Sequence, residues 1–339
     1  MAYQVILFNT DSSFTVQDDE SVLDGAIRAG VPLAHDCRMG GCGTCRVKLL
    51  DGTVSYEDEP FGLSPEEAAE GYALACQARP QSDLVIEPGA SAAMPEPERR
   101  SAVVREVRSL CDSVHHLLLE VEGDAPPVFL AGQYMNVHLE DGSARSFSMA
   151  SAPNGKLIDF HVRRIPGGSF TDRRLAELRA GDRVDITLPL GGFHYRSADY
   201  RPLIMVATGT GLAPIRSILQ SLMDDPDCPP VTLYWGMRNE ADLYLDAEIR
   251  AWGERLYDFR YVPVLSRPGP GWTGRTGYVQ QAVVQDHGSL EEHALYLCGA
   301  PAMVRDAKQL FLANGASADH IYADSFSFAH ELSGEPLAA

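Results

Sequence analysis

Residues 35–45 of the chain read HDCRMGGCGTC. The three cysteines in this stretch are Cys37, Cys42 and Cys45, and Cys76 follows them after thirty further residues. A Cys-x4-Cys-x2-Cys run with a distant fourth cysteine is a spacing that lets four thiolates hold a [2Fe–2S] cluster. The glycines at positions 40, 41 and 43 allow the backbone to curl and to point its N–H groups at cluster sulfurs. The stretch therefore predicts an iron–sulfur site.

A zinc site or a set of buried free thiols is the alternative interpretation of these cysteines. Zinc knuckles usually contain two Cys-x-x-Cys pairs, whereas this chain has one such pair and two single cysteines. The chain has seven cysteines, an odd number. Three of them lie within nine residues, which favours metal ligation over a framework of disulfides.

Length and charge limit the function classes. A chain of 339 residues exceeds the usual size of one hydrophobic core, which predicts two or three domains. The net charge of −19 argues against binding to nucleic acid or to an anionic membrane surface. No apolar run approaches the roughly 18 residues of a spanning helix. A strand-like run at residues 3–8 follows Met1 almost directly, so we expect no signal peptide and a cytoplasmic protein.

The chain divides into three predicted domains, at residues 1–93, 99–199 and 200–339. A segment rich in proline, alanine and charge, residues 88–100, indicates a linker between the first two. The second domain contains regularly spaced strand-like runs, which predict a small barrel or sandwich, and one helix over residues 170–178. In the third domain strands and helices alternate, which predicts a doubly wound parallel sheet.

Residues 35–45 resemble the cluster loop of plant-type ferredoxins. This resemblance implies a β-grasp fold for the first domain and a [2Fe–2S] cluster held by Cys37, Cys42, Cys45 and Cys76. The first 95 residues contain 5 basic and 15 acidic residues. We expect this acidic domain to dock on a basic patch of a partner protein, with the alternative that its charge serves solubility.

Residues 145–151, RSFSMAS, resemble the Arg-x-Tyr-Ser flavin motif of the ferredoxin-NADP reductase superfamily, with Phe147 in place of the usual tyrosine. The resemblance implies an antiparallel β-barrel in which Arg145 contacts the FAD pyrophosphate and Ser148 lies near flavin N5. Taken alone, Arg145 would instead be a solvated charge at a strand end. Residues 161–171, HVRRIPGGSFT, resemble the second flavin segment, where a helix N-terminus offers N–H groups to phosphate. The FAD-binding residues that the two segments imply are Arg145, Ser146, Phe147, Ser148, His161, Val162, Arg163, Gly167, Gly168, Ser169, Phe170 and Thr171.

Residues 206–216, VATGTGLAPIR, resemble the glycine-rich nucleotide loop of the same superfamily, and residues 297–303, LCGAPAM, resemble its Cys-Gly-x-Pro-x-Met motif. The resemblance implies that Cys298 lies near nicotinamide C4 and that Gly299 leaves room for the ring. A buried strand cysteine is the alternative for Cys298. The NAD-binding residues implied are Thr208, Gly209, Thr210, Gly211, Arg238, Ser266, Arg267, Cys298, Gly299 and Met303.

Two further positions concern donor choice and catalysis. A Ser266-Arg267 pair can hold the 2′-phosphate of NADPH, but NADH-linked relatives also carry basic residues there, so we expect NADH with NADPH as the alternative donor. Residues 321–326, IYADSF, resemble the segment that ends these proteins, which places Phe326 over the flavin or, alternatively, in the core. The catalytic residues implied are Ser148, Cys298 and Phe326.

The whole chain resembles the reductase components of multicomponent oxygenases. Reductases of this type are found with ring-hydroxylating dioxygenases, soluble diiron monooxygenases and a deoxysugar dehydrase system. The resemblance implies electron flow from NADH through FAD and [2Fe–2S] to a terminal oxygenase or an intermediate ferredoxin. An aromatic ring-hydroxylating or O-demethylating oxygenase is the expected partner. The alternatives are a stand-alone NAD(P)H oxidoreductase acting on free flavin, quinone or ferric acceptors, and a redox-sensing iron–sulfur flavoprotein.

Overall fold

The computed structural model describes residues 2–35, 38, 40–41, 43–60, 62–88, 95–223 and 225–326. Three separate larger sheets organise these residues, and each sheet belongs to one of the three predicted domains. Each domain also has its own buried apolar cluster, and the third has two. Within the part of the chain that is described, no helix has the length and apolar character needed to cross a bilayer.

The first domain is a mixed five-stranded sheet with a helix packed against it. Its elements are β1 (Ala2–Leu7), β2 (Ser13–Gln17), α1 (Val22–Arg28), β3 (Arg46–Asp51), β4 (Val54–Ser55), α2 (Pro65–Ala69), β5 (Tyr72–Leu74), β6 (Arg79–Pro80) and β7 (Leu84–Pro88). The strand order is β2-β1-β7-β3-β5, in which β1 and β7 run parallel. Ser21 caps α1 by accepting a hydrogen bond from the Asp24 N–H. The arrangement confirms the predicted β-grasp fold.

The second domain is an antiparallel six-stranded barrel. Its elements are β8 (Glu98–Cys111), β9 (Val114–Val121), β10 (Tyr134–His138), β11 (Ala144–Ser148), β12 (Leu157–Arg163), α3 (Leu175–Glu177) and β13 (Arg183–Leu190). The strand order is β11-β10-β13-β8-β9-β12, and an antiparallel bridge between Met149 and Phe160 joins the two outer strands. The flavin motif therefore lies on β11, beside the closing seam with β12.

The third domain is a parallel six-stranded sheet covered on both faces. Its elements are β14 (Leu203–Thr208), α4 (Leu212–Leu222), β15 (Val231–Met237), α5 (Asp246–Ala251), β16 (Phe259–Leu265), β17 (Arg275–Thr276), α6 (Val279–Asp286), β18 (Ala294–Gly299), α7 (Pro301–Leu312) and β19 (Ile321–Ser325). The strand order is β17-β16-β15-β14-β18-β19. The chain adds strands from β14 toward one edge of the sheet and then, starting at β18, toward the other edge, so the order reverses between β14 and β18. Apolar residues of α4 and α5 pack on one face, and those of α6 and α7 on the other. Ligands bind at such a reversal, outside the carboxyl ends of the strands.

Two helices differ from the sequence expectation. The helix predicted over residues 170–178 begins as a wider π-helical turn at Ser169–Arg174, where the Arg173 N–H reaches the Gly168 carbonyl, and it ends at Glu177. The sequence analysis did not predict α6. This short helix has no side-chain cap at its N-terminal residue Tyr278, so the usual start signal is missing.

Candidate functional site: three adjoining cofactor sites

The described cluster cysteines lie together at one end of the first sheet. Arg46 of β3 pairs with Leu74 of β5, and the Ala75 N–H donates to the Cys45 carbonyl at 3.0 Å, which brings the Cys45 and Cys76 positions side by side. Both side chains are buried, at 3% and 7% exposure. Cys37 and Cys42 lie outside the described residues.

Tyr56 lies next to the end of β5, two residues before Cys76. Burial raises the pKa of its phenol, and the charges of both Cys45 and Cys76 raise it further. Its hydroxyl accepts a hydrogen bond from the Leu74 N–H at 3.1 Å. This hydrogen bond holds the Tyr56 ring beside the segment that carries Cys76.

The backbone next to these cysteines has the conformation that only glycine adopts without strain. Gly40 and Gly43 have φ of +69° and +78°. A β-carbon on Gly40 would lie 2.9 Å from side-chain carbons of Gln77 and Pro60, so the loop has no room for a larger residue. The residues present fit a [2Fe–2S] cluster.

The two flavin segments meet in space. Arg145 on β11 donates from Nη2 to the Ser169 hydroxyl at 3.2 Å, although the two residues are 24 positions apart. The rings of Phe147 and Phe170 pack with their centroids 5.1 Å apart. Gly167 has φ of +78°, and a β-carbon on Gly168 would lie 2.6 Å from Thr171 Oγ1. A guanidinium beside a tight glycine turn at a helix start fits a pyrophosphate group.

Other predicted flavin residues have more varied positions. Val162 and Phe170 are buried in the barrel core, whereas Arg163 is exposed. Ser148 is nearly buried at the end of β11, and Ser146 donates to Asn136 at 2.7 Å.

His161 lies between the second and third domains. It is 7% exposed, and its Nδ1 is 3.3 Å from the hydroxyl of Tyr244. Burial lowers the pKa of His161 to about 3, with further lowering by Arg216 and His116. The imidazole is therefore neutral and holds a domain contact, and its role toward FAD stays a prediction.

The glycine-rich nucleotide loop lies at the carboxyl end of β14, where the sheet reverses. Gly209 has φ of +58°, and a β-carbon on Gly211 would collide with the Cys298 carbonyl. On Gly299, a β-carbon would collide with Thr208 Oγ1 and lie 3.0 Å from Met303 Cε. The two NAD motifs, some ninety residues apart, thus form one cradle, packed so closely that neither Gly211 nor Gly299 has room for a side chain.

Cys298 is completely buried at the end of β18. Burial raises the pKa of its thiol well above the ordinary value, and Asp324 raises it further. The thiol is therefore neutral, so a thiolate nucleophile is not what this position offers. Its proposed place beside the nicotinamide rests on its neighbour Gly299.

Two arginines mark the far end of the nucleotide site. The Arg267 N–H donates to the Arg238 carbonyl at 2.9 Å, and the Ser266 N–H donates to the Met237 carbonyl at 3.0 Å. Arg238, Ser266 and Arg267 are all exposed at the carboxyl ends of β15 and β16. Within the described residues neither guanidinium forms an ion pair. Both are thus available to an anionic group.

The last described residues connect the nicotinamide cradle with the cluster loop. The Phe326 N–H donates to the Gly299 carbonyl at 2.9 Å, and Ser325 Oγ donates to the Gly41 carbonyl at 3.3 Å. Phe326 is half-buried against the core of the third domain, so its placement over the flavin stays a prediction. One short segment thus contacts both ends of the proposed electron path, the nicotinamide cradle and the cluster loop.

The turn at residues 189–193 forms a contact that was not predicted from the sequence. A β-carbon on Gly192 would lie 2.7 Å from Thr44 Cγ2, so the barrel touches the cluster loop there.

Arg216 is a second residue that sequence reasoning missed. From α4 it donates to the Ala150 carbonyl at 2.7 Å and pairs with Glu248 at 3.0 Å, which joins the barrel to the third domain. No sequence signal could have assigned this role, because Ala150 lies 66 positions away.

Three family models match the three domains. They are the 2Fe-2S iron-sulfur cluster binding domain at residues 7–81, the oxidoreductase FAD-binding domain at residues 101–195 and the oxidoreductase NAD-binding domain at residues 205–309. The chain contains the binding domains for a [2Fe–2S] cluster, FAD and NAD, as the sequence predicted.

Whole-length relatives agree with the domain matches. The chain is 35% identical over 333 residues to reductase component 2 of terephthalate 1,2-dioxygenase from Comamonas, covering 96% of this chain and 98% of that one. It is 37% identical over 318 residues to the reductase subunit of an aromatic O-demethylase from Amycolatopsis, covering 91% and 94%. The crystal structure of the Amycolatopsis cytochrome P450 reductase GcoB superposes with a TM-score of 0.72 at 34% identity, covering 96% and 98%.

Three cofactor domains in this order, along with whole-length similarity above 30% identity, define an FAD- and NAD-binding oxidoreductase that transfers electrons through an iron–sulfur domain. The chain belongs to the family of ferredoxin–FAD–NAD reductase components of multicomponent oxygenases.

Proposed function

We propose that this chain is the NADH-linked reductase component of an oxygenase that acts on aromatic compounds by ring hydroxylation or O-demethylation. The observation that carries the proposal is a pair of adjacent contacts, in which Ser325 donates to the Gly41 carbonyl and Phe326 donates to the Gly299 carbonyl. This contact supports an electron path from the nicotinamide site to the cluster within one chain. The naming of the relatives supports the class of partner.

The proposed residue roles follow from the contacts. Arg145 and Ser169 hold the FAD pyrophosphate, and the cradle of Gly209, Gly211 and Gly299 holds the nicotinamide nucleotide. Cys37, Cys42, Cys45 and Cys76 hold the cluster. When bound, NADH supplies a hydride, FAD accepts the electron pair and releases it singly, and the cluster carries one electron at a time.

The protein's own contribution is placement. Neutral His161 and Cys298 supply no proton-transfer group near neutral pH, because burial lowers the pKa of the first and raises the pKa of the second. With FAD bound, Ser148 would lie near flavin N5, and Phe326 would lie over the flavin ring. The rate of electron transfer then depends on how closely the three cofactor sites are held to one another.

An anaerobic titration with NADH, and then with NADPH, tests the electron path. We expect the flavin absorbance to bleach and an EPR signal of a reduced [2Fe–2S] cluster to follow, with NADH as the better donor. A flavin that bleaches while the cluster stays oxidised would favour a stand-alone oxidoreductase instead. If NADH-driven reduction of cytochrome c were too slow for turnover, a redox sensor would be favoured.

The class of partner is tested by reconstitution. The loaded protein is mixed with the oxygenase component of terephthalate 1,2-dioxygenase and, separately, with the aromatic O-demethylase, and product is measured against NADH consumed. We expect coupled product formation with at least one of them. NADH consumption without product in either mixture would contradict the proposed partner class.

A further inference from the structure

Lys308 of α7 extends from the third domain into the first. Its Nζ donates to the Gly62 carbonyl at 3.1 Å and lies 3.9 Å from the Glu67 carboxylate. Lys308 is 6% exposed and Glu67 is 2% exposed, so the contact between these domains encloses a charge pair.

Glu67 is shared by two cations from different domains. Arg46 of its own domain donates to its Oε1 at 2.7 Å, and Lys308 of the third domain lies 3.9 Å from the same oxygen. Burial alone raises the pKa of Glu67, but the pKa is lowered overall because Lys308, the Ser64 N–H and Arg46 outweigh burial. The carboxylate therefore stays ionised and attracts Lys308. A buried ammonium that is separated from such partners is strongly unfavourable, so the pair favours one arrangement of the domains.

The ammonium also lies against the cluster loop. Lys308 Nζ is 3.5 Å from the place where a β-carbon of Gly43 would lie, and Gly43 stands between two predicted cluster ligands in the sequence. Gly62, which accepts from Lys308, donates its own N–H to the Gly40 carbonyl at 2.6 Å. Lys308 is thus connected through one residue to the loop that surrounds the cluster.

A second contact joins the same two domains nearby. The Tyr72 hydroxyl of β5 donates to the Asp319 carboxylate, just before β19. The Tyr72 ring also packs under the guanidinium of Arg46, at 4.6 Å, which links this contact to Glu67.

We propose that Lys308 is a positioning residue for electron transfer: by binding Gly62 and Glu67 it clamps the cluster loop against the third domain, so that the cluster receives electrons in one fixed arrangement. The inference rests on the proposed electron path. The electron donor is the flavin reduced by NADH, and no other reactant is required.

The test compares Lys308→Met with Lys308→Arg in the holoprotein, mixed anaerobically with NADH in a stopped-flow instrument. Lys308→Met removes the charge and the hydrogen bond with little change in length, so we expect cluster reduction to slow roughly tenfold or more while flavin bleaching keeps its rate. Lys308→Arg retains the charge and should recover most of the rate of cluster reduction.

Small-angle X-ray scattering supplies a readout apart from activity, and Lys308→Met should give a larger radius of gyration than the wild type.

Lys156→Met is the matched control, because Lys156 also donates to a backbone carbonyl, that of Gly123, at 2.6 Å on the exposed side of the barrel. It should leave both rates and the scattering unchanged. Tyr72→Phe removes the second contact while keeping the ring. If Lys308→Met fails to fold or to retain its cluster, Tyr72→Phe must slow the same step for the proposal to stand.

Wild-type rates of cluster reduction and wild-type scattering in both Lys308→Met and Tyr72→Phe would overturn the clamp. Failure of the proposed function looks different, because then the wild-type cluster would not be reduced by NADH at all. In that case unchanged scattering in Lys308→Met would still refute the clamp, and an increase would support it.

Discussion

Gly299 illustrates how one missing side chain determines a cofactor site. Its α-carbon faces Thr208 Oγ1, and the two residues come from neighbouring strands β18 and β14. Any β-carbon would collide with the Thr208 side chain, and in the proposed site it would fill space that the nicotinamide needs.

We expect Gly299→Ala to lower kcat/KM for NADH roughly 100-fold, because displacements of about 1 Å at a reacting centre have effects of that size. FAD content should not change, since the flavin segments lie in another domain. Steady-state kinetics with ferricyanide as the acceptor checks this. Gly253→Ala is the control, because a β-carbon there meets nothing within 4 Å. Equal kinetics for the two variants would refute the assignment of the cradle.

At the scale of elements, strand β11 and the turn before α3 form the proposed flavin site only in combination. Arg145 on the strand and Ser169 on the turn are the contact between them. Each segment alone is a short motif, and the hydrogen bond shows that the fold brings the two together.

We expect Arg145→Ala to weaken FAD binding about 10- to 100-fold, which corresponds to the loss of about 1.5–3 kcal/mol from a charged hydrogen bond. Fluorescence titration of the FAD-depleted protein with FAD measures the dissociation constant. Arg183→Ala is the control on the same barrel, because Arg183 pairs with exposed Glu122 on the surface. A dissociation constant equal to that of the control would exclude Arg145 from the site.

The contact between β12 and the segment before α5 predicts a pH dependence of stability. His161 has a folded pKa of about 3 because of burial, then Arg216 and His116, and Asp159 opposes these effects only in part. The unfolded chain, with a pKa of about 6.5, binds the proton more readily. The contribution of neutral His161 to the free energy of unfolding is therefore fully present above about pH 6.5 and is lost as pH falls toward 3. The loss is about 2 kcal/mol at pH 5.

We expect His161→Asn to make the fall of the thermal midpoint between about pH 6.5 and 4 shallower than in the wild type. Thermal unfolding followed by flavin fluorescence at several pH values measures it. His115→Asn, on the neighbouring strand β9, should retain the wild-type slope. The same slope in all three proteins would mean that His161 does not titrate on unfolding.

At the scale of the whole molecule, the cluster has a covered side and an open side. Gly41, Gly43 and Thr44 face the other two domains. Cys76 instead borders a surface recess of about 280 Å³, whose charged lining is Asp19, Asp24, Arg38, Glu57 and Arg79. We expect a partner to approach the cluster from this open side. Carboxylates predominate in the first domain as a whole.

We expect electron transfer to the partner oxygenase to slow as NaCl is raised from about 0.1 M to about 1 M, because the Debye length falls from about 10 Å to about 3 Å. Rapid mixing of the reduced protein with the oxygenase measures this step. Reduction of the protein's own flavin by NADH, in the same buffers, is the control and should change far less. A partner rate that does not depend on salt would mean that the acidic domain does not steer docking.

The cofactor content and the order of the three domains were predictable from short segments, because the spacing of four cysteines and the glycine turns at helix starts are local features. The fold class and the oxidoreductase activity are confirmed on this basis, whereas the individual roles of residues such as Ser148 and Phe326 stay predictions. Local patterns also missed α6 and the π-helical start of the helix near residue 170, where capping signals are absent.

Only the tertiary structure decided how the domains meet. Lys308 and Gly62 are 246 residues apart, and nothing near either residue in the sequence indicates the other. The same is true of Arg216 with Ala150 and of Gly192 with Thr44. Contacts of this kind depend on which surfaces the folded domains bury, and the energy of a buried charge depends on partners that the sequence order does not specify. The sequence by itself thus determined which cofactors the protein binds, and the packing of the domains determined how those cofactors are placed relative to one another.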